Sequence, residues 1–190
     1  MKRKIIAITG GIGSGKSVVA QFLREMGYQT VDCDALAREI ADDPSVVAAV
    51  ERLLGSECIS DGVINRRKVR ETVFADENLL KKYDEIFFER VRQRLEETVR
   101  QSCSTVFVEI PIIDAFEFDF DEIWLVESEQ KTRIDRVTAR DGVAVENAIG
   151  IVSRQRYDGV YDRVLTNDGS VDELFEHVLS ALKASGLIKK

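Results

Sequence analysis

The chain has 190 residues, of which 44% are hydrophobic and 32% are charged, as in a globular domain with a sizeable core. The net charge of −7 disfavours a nucleic-acid partner, because binding to phosphate backbones normally needs excess lysine and arginine. No apolar run approaches the length of a membrane span. We therefore expect a cytoplasmic protein without a membrane partner, present as a monomer or weak oligomer. Three widely spaced cysteines and a single histidine disfavour a zinc site or a disulfide framework.

The predicted elements alternate between strands and helices. Five segments have strand character: residues 4–8, 28–32, 104–111, 122–127 and 162–168. Four helices are predicted from apolar periodicity: residues 17–26, 78–100, 131–140 and 171–182. A charged, mostly helical stretch at residues 35–102 is too long for a simple crossover between strands. The pattern predicts a three-layer α/β fold with a mainly parallel sheet and a helical insertion.

A glycine-rich loop separates the first predicted strand from the first helix. Gly10, Gly15, Lys16 and Ser17 satisfy the pattern G-x-x-x-x-G-K-[ST]. Such a loop surrounds a phosphate with backbone N–H groups, places a lysine charge nearby and offers a hydroxyl to Mg²⁺. The alternative is a simple glycine turn between a strand and a helix. The residues predicted to bind ATP are Gly11, Ile12, Gly13, Ser14, Gly15, Lys16, Ser17 and Val18.

Two carboxylates follow the second predicted strand. Asp32 and Asp34 lie at its carboxyl end, where parallel sheets place their ligand sites. A carboxylate there can accept a proton from an attacking hydroxyl and can help to hold Mg²⁺. The alternative is that either residue only caps the following helix. The guanine-reading pattern N-K-x-D and the pattern D-x-x-G are both missing from the sequence, which favours a small-molecule kinase over a switch GTPase.

Five sequence blocks together resemble the dephospho-coenzyme A kinase family: TGGIGSGKS, VDCDALAR, DGVINRRKVRETVF, RDG and TNDGSVDEL. The resemblance covers nearly the whole chain. It implies that ATP and Mg²⁺ are used to phosphorylate the 3′-hydroxyl of dephospho-coenzyme A. It also implies a P-loop kinase core at residues 1–38, 103–138 and 160–190, an acceptor-binding insertion at 39–102 and a lid at 139–159.

The resemblance assigns roles to several acidic and basic residues. Asp34 matches the proposed catalytic base, and Asp32 and Arg38 belong to the same acceptor-side block. Arg38 lies at i+4 from Asp34, so a surface ion pair is the alternative. Glu109, at the end of a strand, is expected to reach Mg²⁺ through water, unless it is only a strand-end charge in solvent.

Arginines near the C-terminal third are candidates for phosphate contacts. Arg133, Arg136 and Arg140 share one face of a predicted helix. The resemblance makes Arg140 the lid arginine with a catalytic role, and Arg136 is a second candidate. Arg154 and Arg156 are placed in the lid. The alternative for each is a solvated basic surface.

Two further sets are expected to bind substrates. Arg66 and Arg67 in the predicted insertion can bind the diphosphate of the acceptor, or form salt links with nearby acidic helices. The resemblance implies that Asn167, after the last strand, helps to read the adenine of ATP.

The chain departs from the family pattern at three places. Phe88 and Glu89 stand where His-Pro is general, Asp114 and Ala115 interrupt a Pro-Leu-Leu-Phe-Glu block, and Val18 replaces a common threonine. The first two departures lie toward the acceptor side. The rival hypotheses are a kinase for another nucleotide or nucleoside, and a nucleotide-binding regulator without turnover.

Overall fold

The computed structural model describes residues 3–73, 76–111, 113, 118–153, 155 and 157–189. Asp114, Ala115, Arg154 and Arg156, singled out above, lie outside the described residues. The chain divides into two compact units, Met1–Asp32 with Ser102–Lys190 and Cys33–Gln101. Among the described residues, no helix combines the length and the apolar character that a membrane span requires.

Strands and helices are numbered along the described part of the chain. The strands are β1 Ile5–Thr9, β2 Gln29–Asp32, β3 Ile59–Ser60, β4 Val63–Ile64, β5 Val106–Glu109, β6 Glu122–Glu127 and β7 Arg163–Thr166. The helices are α1 Lys16–Glu25, α2 Cys33–Ile40, α3 Pro44–Leu54, α4 Arg66–Val73, α5 Glu77–Gln101, α6 Gln130–Asp141, α7 Val145–Val152 and α8 Val171–Ala184.

The first unit is built on a parallel sheet in the order β2-β5-β1-β6-β7. The carboxyl ends of parallel strands share one edge, so the loop after β1 and the last residues of β2 and β5 lie together. The register places Glu109 between Asp32 on β2 and Ile8 on β1. The predicted mainly parallel α/β fold is confirmed.

The core of the first unit lies on the three central strands, which are apolar because helices cover the sheet. Ile6, Phe107 and Trp124 are fully buried, and the rings of Phe107 and Trp124 meet edge to face at 5.3 Å. Helix α1 contributes Leu23 to this core, and α8 contributes Val178. The helical period of these apolar residues was readable in the sequence.

The second unit is helical, with one small hairpin. Helix α5 runs unbroken for 25 residues and buries Val91, Leu95 and Val99, which lie four residues apart along one stripe. Proline inside a helix removes a hydrogen bond, so the absence of the family's proline at position 89 is compatible with this continuity. The turn at residues 61–62, an Asp-Gly pair, joins β3 and β4, with positive φ angles at both positions.

Helix α7 lies inside residues 139–159, which the resemblance assigns to a lid and for which no helix was predicted. Its buried residues Ala148 and Val152 pack with Val137 of α6. Together with Val145 and Ile149 they follow the i, i+3, i+4, i+7 spacing of a helix, so the sequence carried a signal that was missed.

A buried carboxylate connects three parts of the first unit. Glu122, at the start of β6, is 7% exposed. It accepts hydrogen bonds from Lys4 Nζ, from Ser185 Oγ and from Trp124 Nε1, the last at 2.9 Å. Burial alone raises the pKa of Glu122, but these donors outweigh burial and hold the pKa below its ordinary value.

We predict that Glu122→Gln lowers the free energy of unfolding by about 2 kcal/mol or more at neutral pH, since it removes the charge that accepts from three donors, two of them buried. A depressed carboxyl pKa stabilises the fold above the ordinary value of 4.5, and this contribution is lost as pH falls through the lowered pKa. Urea unfolding at pH 7 and at about pH 3 measures both effects. The difference in free energy of unfolding between the variant and the native protein should be smaller at the acidic pH. Glu127→Gln, at the exposed end of the same strand, is the control, and an equal effect of both changes would contradict the assignment.

Candidate functional site

The glycine-rich loop leads directly into α1. Gly15 caps this helix with a φ of 103°, and its carbonyl accepts hydrogen bonds from the N–H groups of Val18 and Val19. A side chain at Gly15 would be strained by this φ, and its Cβ would lie 2.2 Å from Asn167 Nδ2. The loop therefore ends at a helix N-terminus, where free N–H groups and the helix dipole favour an anion.

The charged and hydroxyl groups of the loop lie at the carboxyl edge of the sheet. Lys16 Nζ donates to the carbonyl oxygens of Gly10 at 2.7 Å and Gly11 at 3.2 Å. Ser17 Oγ donates to Glu109 Oε1 at 2.7 Å. Since Asp32 is the register neighbour of Glu109, the structure brings a lysine, a hydroxyl and two carboxylate residues to this edge.

The oxygen atoms at this edge fit a magnesium ion. Mg²⁺ prefers oxygen ligands, keeps several waters and is usually held by one or two protein groups together with substrate phosphates. Ser17 Oγ and Glu109 Oε1 are hard oxygen donors within 2.7 Å of each other. No cluster of three or more His, Cys, Asp or Glu side chains suited to a metal occurs among the described residues, so a cage made only of such side chains is not formed by them.

Asn167 and Arg136 hold the loop from the side of β7. Asn167 is 6% exposed, and its Nδ2 donates to the carbonyl of Ser14 at 2.6 Å. Arg136 donates from Nη1 to the carbonyl of Gly13 at 3.2 Å and from Nη2 to the carbonyl of Asn167 at 3.0 Å. Both residues lie against the phosphate loop, and the predicted reading of adenine by Asn167 stays a prediction.

Arg133 and Gln155 also contact the loop; the sequence placed Arg133 only on a helix face shared with Arg136 and Arg140, and it gave Gln155 no role. Arg133 is 9% exposed and donates from Nε to the carbonyl of Ile12 at 3.0 Å and from Nη2 to Gln155 Oε1 at 2.7 Å. The N–H of Ile12 donates to the same Gln155 oxygen at 2.8 Å. Arg133 shares a helix face with Arg136, which was a usable signal; Gln155 lies in an irregular segment and carried none.

Arg140, the predicted lid arginine, lies at the end of α6 and is exposed. Its Nε and Nη2 donate to the two carboxylate oxygens of Asp141 at 2.6 and 2.8 Å. Hydrogen bonding to Asp141 raises the pKa of Arg140 and lowers the pKa of Asp141. The predicted contact of Arg140 with phosphates stays a prediction.

The second unit contains a cavity of about 360 Å³ between its own helices and hairpin. Its polar lining includes Arg38, Arg66, Arg70, Tyr83 and Asp84. The rest of the lining is apolar and comprises Ala37, Ala41, Ile64, Val69, Val73, Leu80 and Phe87. An apolar cavity with a few convergent polar groups is typical of a small-molecule site.

The predicted acceptor residues of the second unit are placed differently with respect to this cavity. Arg38 and Arg66 line it. Arg67 is not part of the lining; it is largely exposed and forms an i, i+4 ion pair with Glu71 at 3.0 Å. Asp34 lies exposed in the first turn of α2. Burial raises the pKa of Asp84, so its carboxyl takes up a proton more readily than an exposed one.

Comparison with known proteins agrees with this geometry. Residues 4–173 match the family model described as dephospho-CoA kinase. A dephospho-CoA kinase of Streptococcus mutans is 32% identical over 95% of this chain and 96% of its own length, and one of Hydrogenovibrio crunogenus is 30% identical over 94% and 96%.

Solved structures show the same fold. A crystal structure from Thermus thermophilus has a TM-score of 0.84 and 34% identity, covering 97% of this chain and 98% of its own. A dephospho-CoA kinase from Campylobacter jejuni has a TM-score of 0.68 at 17% identity, covering 98% of this chain and 100% of its own. The sequence match runs through the glycine-rich loop, the helical second unit and α6 alike, and it establishes that this chain belongs to the dephospho-CoA kinase family.

Proposed function

We propose that this protein transfers the γ-phosphate of ATP to the 3′-hydroxyl of dephospho-coenzyme A, giving coenzyme A and ADP. The observation that carries the proposal is the family match over residues 4–173, which includes the phosphate loop and the whole of the second unit. The arrangement of Lys16, Ser17 and Glu109 at one edge of the parallel sheet supports it.

The donor site is the phosphate loop. Residues 11–18 surround the β- and γ-phosphates through loop amides other than those of Ile12 and Ser14, which donate to Gln155 and Gly11. Lys16 moves its ammonium from the loop carbonyls to the phosphate oxygens. Ser17 and Glu109 hold Mg²⁺, which when bound neutralises charge on the phosphates. Asn167 lies beside the adenine. Its hydrogen bond to Ser14 supports the loop, and the contact with the base is proposed in addition.

The chemical step is an in-line displacement. The 3′-oxygen of the acceptor forms a bond to the γ-phosphorus, the bond to the β-phosphate oxygen of ADP breaks, and the hydroxyl proton passes to the Asp34 carboxylate. Lys16 and Arg140 stabilise the negative charge that spreads over the transferred group. Asp34 is two residues from Asp32 at the sheet edge, so chain connectivity keeps their Cα atoms within about 7.6 Å.

The acceptor site is proposed for the second unit, with Asp32 at the sheet edge. The 360 Å³ cavity offers apolar walls for the pantetheine arm, and Arg38 and Arg66 offer guanidinium groups for the diphosphate. Residues 139–159 are proposed to act as the lid. The replacement of His-Pro by Phe88 and Glu89 leaves α5 continuous beside this cavity, whose lining includes Phe87.

Incubation of the protein with ATP, Mg²⁺ and a panel of possible acceptors tests the proposal directly. We expect ATP with Mg²⁺ to give ADP with dephospho-coenzyme A and little with nucleosides, nucleotides or shikimate. Removal of Mg²⁺ with EDTA should stop the reaction, and coupled detection of ADP measures it. Preference for a nucleoside would identify a different kinase, whereas ATP binding without acceptor-dependent ADP release would identify a regulator.

Asp34→Asn should lower kcat by about 10²–10⁴-fold, because the amide cannot accept the hydroxyl proton. ATP affinity should change little, since Asp34 is not part of the phosphate loop. Steady-state kinetics and calorimetric ATP binding measure the two quantities. Asp42→Asn, which removes an exposed carboxylate beyond the same helix, is the control, and near-native turnover of Asp34→Asn would show that another group is the base.

Neighbouring arginines of α4 provide a matched pair for the acceptor site. Arg66→Ala should raise KM for dephospho-coenzyme A about tenfold, because one charge-assisted hydrogen bond to the acceptor is lost. Arg67→Ala should change it less than about twofold, since Arg67 pairs with Glu71 in solvent. Initial-rate kinetics at saturating ATP compare the two variants, and equal effects on KM would show that the acceptor does not bind in the cavity.

A further inference from the structure

We propose that Arg133 and Gln155 are positioning residues of the phosphate loop, which together hold the backbone of Ile12 and link nucleotide binding to the segment that follows α7. The proposal rests on nucleotide binding by the loop, as in the proposed function, and is independent of the identity of the acceptor.

The first observation is a closed ring of hydrogen bonds. Arg133 Nε donates to the carbonyl of Ile12 at 3.0 Å, and Arg133 Nη2 donates to Gln155 Oε1 at 2.7 Å. The ring closes with the N–H of Ile12, which donates to Gln155 Oε1 at 2.8 Å. Both backbone polar groups of one loop residue are therefore satisfied by two side chains from outside the loop. The Ile12 side chain also packs beside Val137 and Val152, so this residue is held through its backbone and its side chain.

The second observation is the close approach of α6 to the loop. A Cβ at Gly11 would lie 1.9 Å from Arg133 Nη2, and a Cβ at Gly13 would lie 2.7 Å from the Arg133 carbonyl oxygen. At Gly13 the obstacle is the backbone of α6, and φ is +78°, so glycine is required there. At Gly11 the obstacle is the end of the Arg133 side chain, so a Cβ there would displace this guanidinium from its hydrogen bonds.

The third observation is the charge of Arg133. Arg133 is 9% exposed, and the hydrogen bonds described for its guanidinium go to two neutral oxygen atoms, the Ile12 carbonyl and Gln155 Oε1. Burial lowers the pKa of Arg133, but arginine stays protonated in proteins. A buried cation behind the loop favours a polyanion in front of it, because the interior screens charge less than water does.

The position of Gln155 in the chain connects this ring of hydrogen bonds to the proposed lid. Gln155 follows α7 and lies in the segment proposed as the lid. Further along, the hydroxyl of Tyr157 donates to the carbonyl of Pro111 at 3.3 Å. If this segment moves, Ile12 N–H and Arg133 lose a shared acceptor, so the position of the lid segment and the conformation of the loop are coupled.

The test uses three variants of the whole protein and calorimetric titration with ATP alone. Gln155→Leu removes the acceptor and should weaken ATP binding about tenfold, since a buried N–H and a guanidinium both lose their partner. Gln155→Glu retains an acceptor oxygen but also compensates the charge of Arg133, so ATP affinity should fall by only about threefold, less than in Gln155→Leu. Gln130→Leu is the matched control: Gln130 also bridges α6 to the chain near α7, donating to Ser153 Oγ at 2.9 Å, but it does not touch the loop.

Equal ATP affinity of the leucine and glutamate variants, whether lost or retained, would overturn the proposal, as would an effect of Gln130→Leu as large as that of Gln155→Leu. A merely structural role would change the melting temperature without separating leucine from glutamate. If Gln155→Leu folds poorly, Gln155→Asn replaces it, because the amide is then one methylene too short to reach both donors. Failure of the native protein to phosphorylate dephospho-coenzyme A would refute the proposed function and leave this binding result standing.

Discussion

The site in the first unit depends on which groups form hydrogen bonds with the backbone of the glycine-rich loop. A loop that surrounds a phosphate must direct its N–H groups toward the ligand, so its carbonyl groups need partners elsewhere. In this protein, Arg133, Arg136 and Asn167 supply donors to Ile12, Gly13 and Ser14, and Lys16 donates to Gly10 and Gly11. The loop is therefore pre-organised by α6 and by the residue after β7, and its anion-binding face does not have to be assembled by the nucleotide.

The parallel sheet determines which groups join this loop. Because β2, β5 and β1 run in the same direction, their last residues share an edge, and the register places Asp32 beside Glu109. The hydrogen bond from Ser17 to Glu109 then joins the start of α1 to the end of β5. The second unit has its own cavity with an apolar wall and several arginines. Donor chemistry and acceptor binding are thus proposed for parts of the chain with different composition and different packing.

Sequence reasoning succeeded where residue type or period carries the structure. The fully apolar strands predicted a sheet covered on both faces, and the glycine-lysine-serine pattern predicted a phosphate loop that the structure places between β1 and α1. It failed where the signal was short or sparse. Strands β3 and β4 contain two residues each, and α7 has only eight, although its apolar residues follow a helical spacing that was missed.

The sequence by itself determined the family, the parallel α/β class and the residues of the phosphate loop, because these depend on local spacing and on apolar period. Only the tertiary structure decided that Arg133 is buried against the loop, that Gln155 shares its oxygen between Ile12 and Arg133, and that Arg66 lines a cavity while Arg67 faces solvent. Neighbouring arginines look alike in a sequence. Their roles differ because packing against other elements sets which guanidinium loses its water and which keeps it.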